Sequence, residues 1–246
     1  MPKPRILQDQ YFKKAKAEGF LARSAYKLQE INERQAFIKP GDKVLDLGCA
    51  PGSWLQVAAQ IVGSQGGNKV GGQVVGIDLK ESDPAVRESP LVTDLVGDIF
   101  TTDAATLLAP IQARDYKARM AAGTPLPTRL YDVVMSDMAP NTTGHADDFI
   151  SARLCRRVLE LLPGLLREGG QMAMKIFEGS EYPGVLAETS RIFAKARGFK
   201  PHASRDVSRE MYIVGQSFAP HRAVKPRPSR PVIPRGWGSG NANGGA

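Results

Sequence analysis

Short apolar runs alternate with longer segments of helical periodicity through most of the chain, from residue 24 to residue 218. Seven runs predict strands, at residues 43–47, 73–78, 91–96, 131–136, 171–177, 199–203 and 211–216. The periodic segments predict helices, at residues 24–36, 53–62, 101–112, 147–167 and 183–197. Because parallel strands need a crossover that is usually a helix, the alternation predicts an α/β fold with a mostly parallel seven-stranded sheet and helices on both faces.

The ends of these elements carry further signals. No helix separates the last two predicted strands, so we expect them to form an antiparallel hairpin at an edge of the sheet. Ser24 is the expected N-cap of the first helix. The Gly-rich stretch at 63–72 and the stretch at 114–129, which contains Pro125 and Pro127, are predicted to be surface loops.

Composition divides the chain of 246 residues into three regions. Residues 1–23 form a basic N-terminal segment, and residues 24–218 carry the periodic pattern of one folded domain. Residues 219–246 hold five prolines, five lysines or arginines and no acid. Such a stretch buries too little apolar surface to fold, so we expect a disordered tail. The net charge of +8 suits a polyanionic partner such as nucleic acid, although basic charge can also serve solubility alone.

The two cysteines, Cys49 and Cys155, are far apart in the sequence, and the three histidines, His145, His202 and His221, are scattered. This spacing fits neither a disulfide scaffold nor a metal site, and it indicates a reducing compartment. The N-terminus lacks the apolar stretch of a signal peptide, and no run approaches the roughly 20 apolar residues of a membrane span. We therefore expect a cytoplasmic protein with no membrane partner and no structural metal.

The first predicted strand runs into the segment DLGCAPGSW, residues 46–54, and then into a helix. Gly48 and Gly52 allow the backbone to approach a ligand closely, and the N-terminus of the helix favours an anionic group. The segment is neither GxGxxG nor a P-loop, which argues against a dinucleotide or a triphosphate. A ligand with a carboxylate and a nucleoside, such as S-adenosylmethionine (SAM), suits the turn better. The alternative is a tight turn that binds nothing.

Acidic residues follow the next strands, at the edge of the sheet where open α/β proteins bind their ligands. Asp78 ends the second strand and is suited to accept hydrogen bonds from both ribose hydroxyls, or only to cap a turn. After the third strand, Asp98 is the preferred partner for an adenine amino group, with Asp94 as the alternative. Asp137 follows the fourth strand, and we expect it to face the cleft near the transferred methyl group.

Lys175 lies in the fifth strand, within the apolar run MAMKIF. Central strands of parallel sheets are covered on both faces, and burial disfavours the charged form of a lysine. Lys175 is therefore a candidate for accepting a proton during catalysis. The alternative is a lysine at a sheet edge whose amine reaches into water.

Five segments within residues 20–218 resemble, in this order, the FtsJ/RrmJ family of ribose 2′-O-methyltransferases: RSAYKLQEI, DLGCAPGSW, SDMAPN, MKIFEG and SREMYIV. The resemblance is strongest to the bacterial members that act on large-subunit ribosomal RNA. It implies a Rossmann-like SAM-dependent methyltransferase domain at residues 24–218, which methylates a uridine 2′-hydroxyl of 23S rRNA on the assembled 50S particle. The implied catalytic tetrad is Lys27, Asp137, Lys175 and Glu210, and the implied SAM contacts are Gly52, Trp54, Asp78, Asp98 and Asp137, with no metal.

The resemblance leaves the role of the tetrad lysine open. Lys175 acts either as the base that accepts the 2′-hydroxyl proton or as a cation that stabilises the developing alkoxide. In both cases Asp137 and Glu210 would orient its amine and balance the charge of Lys27.

The substrate also has alternatives. Transfer RNA or another RNA is one, and a non-catalytic SAM-binding factor for ribosome assembly is another. The N-terminal segment, Arg23, Arg205, Arg209 and the tail are expected to neutralise RNA phosphates. A monomer is the simplest oligomeric state.

Overall fold

The computed structural model of the chain describes residues 6–64, 72–120, 130–140, 147–204 and 208–221. Within them the helices are α1 Ile6–Ala17, α2 Ser24–Gln35, α3 Ser53–Val62, α4 Pro84–Arg87, α5 Ala104–Met120, α6 Asp147–Leu165 and α7 Tyr182–Ile192. The strands are β1 Lys43–Leu47, β2 Gln73–Asp78, β3 Val92–Val96, β4 Tyr131–Ser136, β5 Leu166–Phe177, β6 Phe193–Phe199 and β7 Glu210–Phe218. The predicted tail from residue 222 and most of the predicted loop at 63–72 lie outside the described residues.

The seven strands form a single sheet in the order β3-β2-β1-β4-β5-β7-β6. The neighbours from β3 to β5 are parallel, whereas β7 is antiparallel to both β5 and β6. The predicted α/β class, the mostly parallel sheet and the antiparallel edge pair are therefore confirmed. The strand order reverses between β1 and β4, and ligands of open α/β sheets bind beyond the carboxyl ends of the strands at such a point.

Helices cover both faces of the sheet, as predicted. Along β1, Val44 faces a core that includes residues of α2 and α3, whereas Leu45 and Leu47 face a core that includes residues of α5 and α6. All five residues of β1 are buried, and three of them are apolar; the two exceptions are Lys43 and Asp46. None of the helices in the described ranges has the length and apolar character needed to cross a membrane.

The strand predicted at 199–203 was placed wrongly, because β6 occupies residues 193–199 and α7 ends at Ile192. Ala, Lys and Arg at 194–197 favour helix locally, but Phe193 has extended backbone angles and pairs in register with Phe218 of β7. Pairing with β7 therefore overrides the helical propensity. Strand β5 also begins earlier than predicted, at Leu166, which pairs with Tyr131 of β4.

The prediction that Ser24 caps a helix is wrong. Arg23 precedes α2 without a side-chain cap, and the Ser24 hydroxyl instead forms a 2.7 Å hydrogen bond with the hydroxyl of Ser53. This contact joins the N-terminal ends of α2 and α3. The loop predicted at 114–129 is wrong for residues 114–120, because α5 continues to Met120. These residues include neither Gly nor Pro, so nothing in them ends the helix. The rest of the predicted loop lies outside the described residues.

Helix α1 was not predicted, and it lies in the basic N-terminal segment. The ring of Tyr11 lies 5.7 Å from the ring of Tyr26 on α2, and Ala15 is buried beside it. The Lys14 amine lies 4.8 Å from the centre of the Tyr26 ring. These contacts dock a lysine-bearing helix on α2, the helix that also carries Lys27.

Candidate active site

Four elements bring the predicted catalytic side chains to one end of the sheet. Asp137 directly follows β4, Lys175 lies in β5 and Glu210 is the first residue of β7. Strands β5 and β7 place Lys175 opposite Tyr212. Helix α2 packs on the same face of the sheet and contributes Lys27.

The four residues form two ion pairs. The Lys175 Nζ donates to the backbone carbonyl of Asp137 at 2.5 Å and lies 3.1 Å from its carboxylate Oδ1. The Lys27 Nζ donates to Oε2 of Glu210 at 2.7 Å. The structure therefore brings together all four residues of the predicted tetrad, although their catalytic roles stay a prediction.

Both lysines are buried, with only 4% of Lys27 and 7% of Lys175 exposed to solvent. Lys175 lies between the neighbouring strands β4 and β7, so its interpretation as an edge lysine that reaches into water is wrong. Charges that are shielded from solvent are screened little by salt. The two ion pairs therefore fix the positions of the amines more firmly than surface pairs would.

Tyr212 lies between the two ion pairs. It was not identified from the sequence as a residue of the site. Its hydroxyl donates to Oδ1 of Asp137 at 2.6 Å, and the Lys27 amine lies 5.9 Å from the centre of its ring. Alternation along β7 was the available signal, because Glu210 and Tyr212 are two residues apart and share a face of the strand.

The pKa values of two groups depart from their ordinary range. Burial raises the pKa of Glu210, but the charge and hydrogen bond of Lys27, helped by Lys175 and Ser208, outweigh burial and hold it below the usual value. Burial, together with the charge and hydrogen bond of Asp137, raises the pKa of Tyr212 well above its usual value. Tyr212 therefore remains a hydrogen-bond donor, and Glu210 remains a carboxylate, at neutral pH.

A cavity of about 560 Å³ opens at the carboxyl ends of the parallel strands, beside Asp137. Its lining includes Gly48 and Ala50 from the turn after β1, and also Asp78, Asp98 and Asp137. Three of the five predicted cofactor contacts thus meet in one cavity. The other two, Gly52 and Trp54, lie at the start of α3 outside this lining.

The Trp54 side chain belongs to the core. It is 2% exposed, its ring stacks on Tyr212 at 5.7 Å, and its Nε1 donates to the backbone carbonyl of Ser24. A contact of this residue with a cofactor would therefore have to come from its backbone.

The turn after β1 requires glycine at two positions. Gly48 and Gly52 have φ angles of 81° and 112°, a region that residues with a Cβ rarely adopt. A Cβ at Gly48 would also collide with Cγ of Met138, in the segment that follows Asp137. The close approach of these two segments forms one wall of the cavity.

The two candidates for the adenine contact have different surroundings. Asp94 is occupied by the protein, since its carboxylate accepts from the backbone N–H of Ser82 at 2.7 Å and from the Ser82 hydroxyl at 3.1 Å. Asp98 is exposed and lines the cavity, and its Oδ1 accepts from the backbone N–H of Phe100 at 2.9 Å. This difference supports the choice of Asp98. Asp78 likewise lines the cavity, and its Oδ2 accepts from the backbone N–H of Ala50 at 3.1 Å.

The family model of the FtsJ-like methyltransferases matches residues 20–218 of the chain. The chain belongs to this family. Among its relatives, a "Ribosomal RNA large subunit methyltransferase E" from Syntrophobacter fumaroxidans is 42% identical over 211 residues, which cover 85% of this chain and 95% of the relative. A protein with the same name from Azoarcus sp. is also 42% identical, over 85% of this chain and 91% of its own length.

A solved structure agrees with the family. The crystal structure of a ribosomal RNA methyltransferase from Plasmodium falciparum superposes with a TM-score of 0.63 and 26% identity, over 81% of this chain and 98% of the other. The predicted family, methyltransferase fold and methyltransferase activity are thus confirmed. Membership of the FtsJ-like family implies a methyl donor of the SAM type.

The charges around this FtsJ-like site fit a SAM-type donor. Both carboxyl oxygens of Asp46 are buried, and among the described residues neither has a hydrogen-bond partner. Burial, then the charges of Asp137 and Asp78, raise the pKa of Asp46 well above its usual value. The carboxyl groups of Asp46, Asp78 and Asp137 lie close enough to repel one another, and a ligand with cationic groups would relieve this repulsion; SAM carries a sulfonium and an ammonium. The same three carboxyl groups would repel the pyrophosphate of a dinucleotide.

Proposed function

We propose that the protein transfers a methyl group from SAM to the 2′-hydroxyl of a uridine in the 23S rRNA of the large ribosomal subunit. The observation that carries this proposal is the pairing of the buried Lys175 with Asp137, which adjoins the cavity on one side and the Lys27–Glu210 pair on the other. The names of these relatives support ribosomal RNA of the large subunit as the substrate class. We further propose that the substrate is the assembled 50S particle, and that the enzyme is a monomer located in the cytoplasm.

The cavity residues would hold the cofactor. We assign Asp78 to the ribose hydroxyls, Asp98 to the adenine amino group and the backbone around Gly52 and Trp54 to the carboxylate. Asp137 would contact the cofactor near its reacting end. Bound SAM supplies an electrophilic methyl group on a sulfonium.

The tetrad acts on the acceptor. Asp137 holds the Lys175 amine in place through its backbone carbonyl and its carboxylate. We propose that Lys175 first releases its proton to solvent and then accepts the proton of the 2′-hydroxyl. The Lys27–Glu210 pair borders the acceptor and balances the charge. Much of the rate enhancement comes from holding the hydroxyl oxygen in line with the methyl carbon.

The basic helix α1 suits the RNA backbone. It docks on α2 through Tyr11 and Tyr26, so its exposed Lys14 and Lys16 lie on the helix pair that carries Lys27. Lysines in this place would neutralise phosphates near the target nucleotide, and such binding weakens as salt rises. Arg205 and the basic tail, also predicted to bind phosphates, lie outside the described residues.

The testing experiment is methyl transfer from labelled SAM to 50S subunits, 23S rRNA and tRNA isolated from cells that lack the enzyme. Wild-type protein is compared with Lys175→Ala, and the labelled nucleoside is identified by mass spectrometry. We expect 2′-O-methyluridine in the large-subunit RNA, and its loss in the variant. Label only in tRNA would replace the proposed substrate, and SAM binding without transfer to any RNA would favour an assembly factor.

A further inference from the structure

The wall of the cavity next to Asp98 is held in place from outside by α6. The wall consists of residues 97–102, where the carbonyl of Asp98 accepts from the backbone N–H groups of Thr101 and Thr102 at 3.0 and 2.8 Å. The cavity is lined by residues 97–100 of this segment and by Leu154 of α6. The position of the Asp98 carboxylate therefore depends on the conformation of this short segment.

Arg157 of α6 binds the backbone of the wall at two points. Its Nε donates to the carbonyl of Ile99 at 2.8 Å, and its Nη2 donates to the carbonyl of Thr102 at 3.3 Å. One turn earlier in α6, the guanidinium carbon of Arg153 lies 4.7 Å from the centre of the Phe100 ring. Contacts from α6 thus reach three of the four residues that follow Asp98.

Helix α6 is itself fastened to the strand that carries Lys175. The Ser151 hydroxyl accepts from the backbone N–H of Phe177 at 3.0 Å, and the Cys155 thiol donates to the carbonyl of Lys175 at 3.1 Å. Arg157 therefore extends from a helix that is packed on the sheet, and it spans from that helix to a segment outside regular secondary structure. A planar guanidinium that donates to two carbonyls restricts the segment more than a single contact would.

We propose that Arg157 is a positioning residue for the adenine of the cofactor, which acts by holding residues 98–102 so that the Asp98 carboxylate meets the adenine amino group. The inference rests on the proposed function, since it concerns the same cofactor site. It adds a residue that does not line the cavity. It also predicts a defined consequence of losing that residue, a loss of selectivity for adenine.

Arg156 provides a matched control in the same helix. Its guanidinium pairs with Glu181 at 2.9 Å and with Glu188 at 3.1 Å, next to and within α7. These ion pairs lie away from the wall, and within the described part of the chain Arg156 has no hydrogen bond or ion pair to residues 97–102. Replacing Arg156 therefore removes an arginine and its ion pairs from α6 without disturbing the wall.

The test measures binding by calorimetry with two ligands and without RNA. The first is S-adenosylhomocysteine, and the second is S-inosylhomocysteine, in which a carbonyl replaces the adenine amino group. We expect wild-type protein to prefer the adenosyl ligand by roughly tenfold or more, because a carboxylate that loses its donor partner is penalised. In Arg157→Ala the adenosyl ligand should weaken by about tenfold and the inosyl ligand by less, so that the preference collapses. The preference of Arg157→Lys for the adenosyl ligand should lie between those of wild type and Arg157→Ala. Arg156→Ala should show the wild-type affinities and preference.

Each other outcome contradicts the inference. Unchanged affinity and preference in Arg157→Ala would remove the positioning role and leave the proposed function intact. Equal weakening of both ligands would indicate general damage to the cavity and would also overturn it. If wild-type protein binds neither ligand, the proposed cofactor falls, and the inference falls with it.

Discussion

The hydroxyl of Tyr212 donates to Oδ1 of Asp137 at 2.6 Å. The same oxygen lies 3.1 Å from the amine of Lys175, so it is shared between a neutral donor and an amine. Tyr212 therefore limits the positions that the Asp137 carboxylate can adopt. Through Asp137, it also limits where the Lys175 amine can reach.

Replacing Tyr212 by Phe should slow catalysis without preventing folding. The ring would keep its stacking on Trp54, but Asp137 would lose one hydrogen bond to a charged acceptor. We expect kcat to fall by about tenfold or more, with little change in the affinity for S-adenosylhomocysteine. The measurement is kcat and KM on large subunits, with Tyr26→Phe as control, since that hydroxyl bonds Glu18 away from the site. A variant with unchanged kcat would show that the hydrogen bond has no role in catalysis.

The Lys27–Glu210 pair should make the free energy of unfolding fall at acidic pH. The folded protein holds the pKa of Glu210 below the usual value of about 4.3, so in that range the unfolded chain binds more protons. The stabilisation is therefore complete above roughly pH 5 and is lost as the pH falls through the folded-state value.

Urea unfolding from pH 3.5 to pH 7 checks this sign. The stability advantage of wild type over Glu210→Gln should be largest at neutral pH and should shrink in acid. Glu81→Gln removes an exposed pair with Arg87 and serves as the control for the loss of a surface ion pair. An advantage that grows in acid would contradict the lowered pKa of Glu210.

Asp46 should have the opposite effect on stability. Its pKa is raised in the folded protein, whereas in the unfolded chain it ionises near the usual value of about 3.9. Above that pH, Asp46 therefore takes up a proton when the protein folds. As the pH rises toward the folded-state pKa, this uptake lowers the free energy of unfolding. Asp46→Asn does not titrate, so its stability relative to wild type should increase by up to about 1.4 kcal/mol per pH unit.

Unfolding of Asp46→Asn and wild type without cofactor, from pH 5 to pH 8, measures this slope. We also expect the variant to bind SAM more weakly, because it lacks a carboxyl group that can become negative when the cationic ligand enters. A stability difference that stays constant with pH would mean that Asp46 is ionised in the folded protein.

The bounds of three central strands were predictable from the sequence. The bounds of β1, β2 and β4 agree with the prediction, because each strand contains a short buried apolar run flanked by polar residues or glycine. The edge strand β6 was not predictable in this way. Its segment has helical propensity, and only the pairing with β7, distant in sequence, decides its conformation.

The candidate site was predicted to a similar extent. The strand pattern pointed to Asp78, Asp98, Asp137 and Lys175, because each ends or follows a strand or interrupts an apolar run. Lys27 and Glu210 came only from the resemblance to the family. The motifs did not reveal that Tyr212 bonds Asp137 or that Trp54 stacks on Tyr212, since both contacts depend on how β7 and α3 pack against β5. Arg157 gave no signal at all, because an arginine on a helix surface is usually solvated.

Gly48, in the turn after β1, should be required both because it lacks a side chain and because its φ angle is positive. Gly48→Ala introduces a Cβ that collides with Met138, in addition to the strain of a positive φ. Gly41 has a similar φ of 86° with no atom within 4 Å of a Cβ, so Gly41→Ala reports the strain alone. We expect both variants to lose about 1 kcal/mol of stability from strain and Gly48→Ala to lose about 1–3 kcal/mol more. Thermal unfolding checks this, and Met138→Ala should restore part of the extra loss.

The role of Lys175 is decided by a second substitution that keeps the charge. Lys175→Arg puts a permanent cation in this position, because a guanidinium does not lose its proton in proteins. If the Lys175 amine accepts the 2′-hydroxyl proton, Lys175→Arg should therefore be as inactive as Lys175→Ala. Lys27→Arg is the matched control, as it preserves the pairing with Glu210 and should keep measurable activity. Substantial activity in Lys175→Arg would instead identify Lys175 as a cation that stabilises the alkoxide.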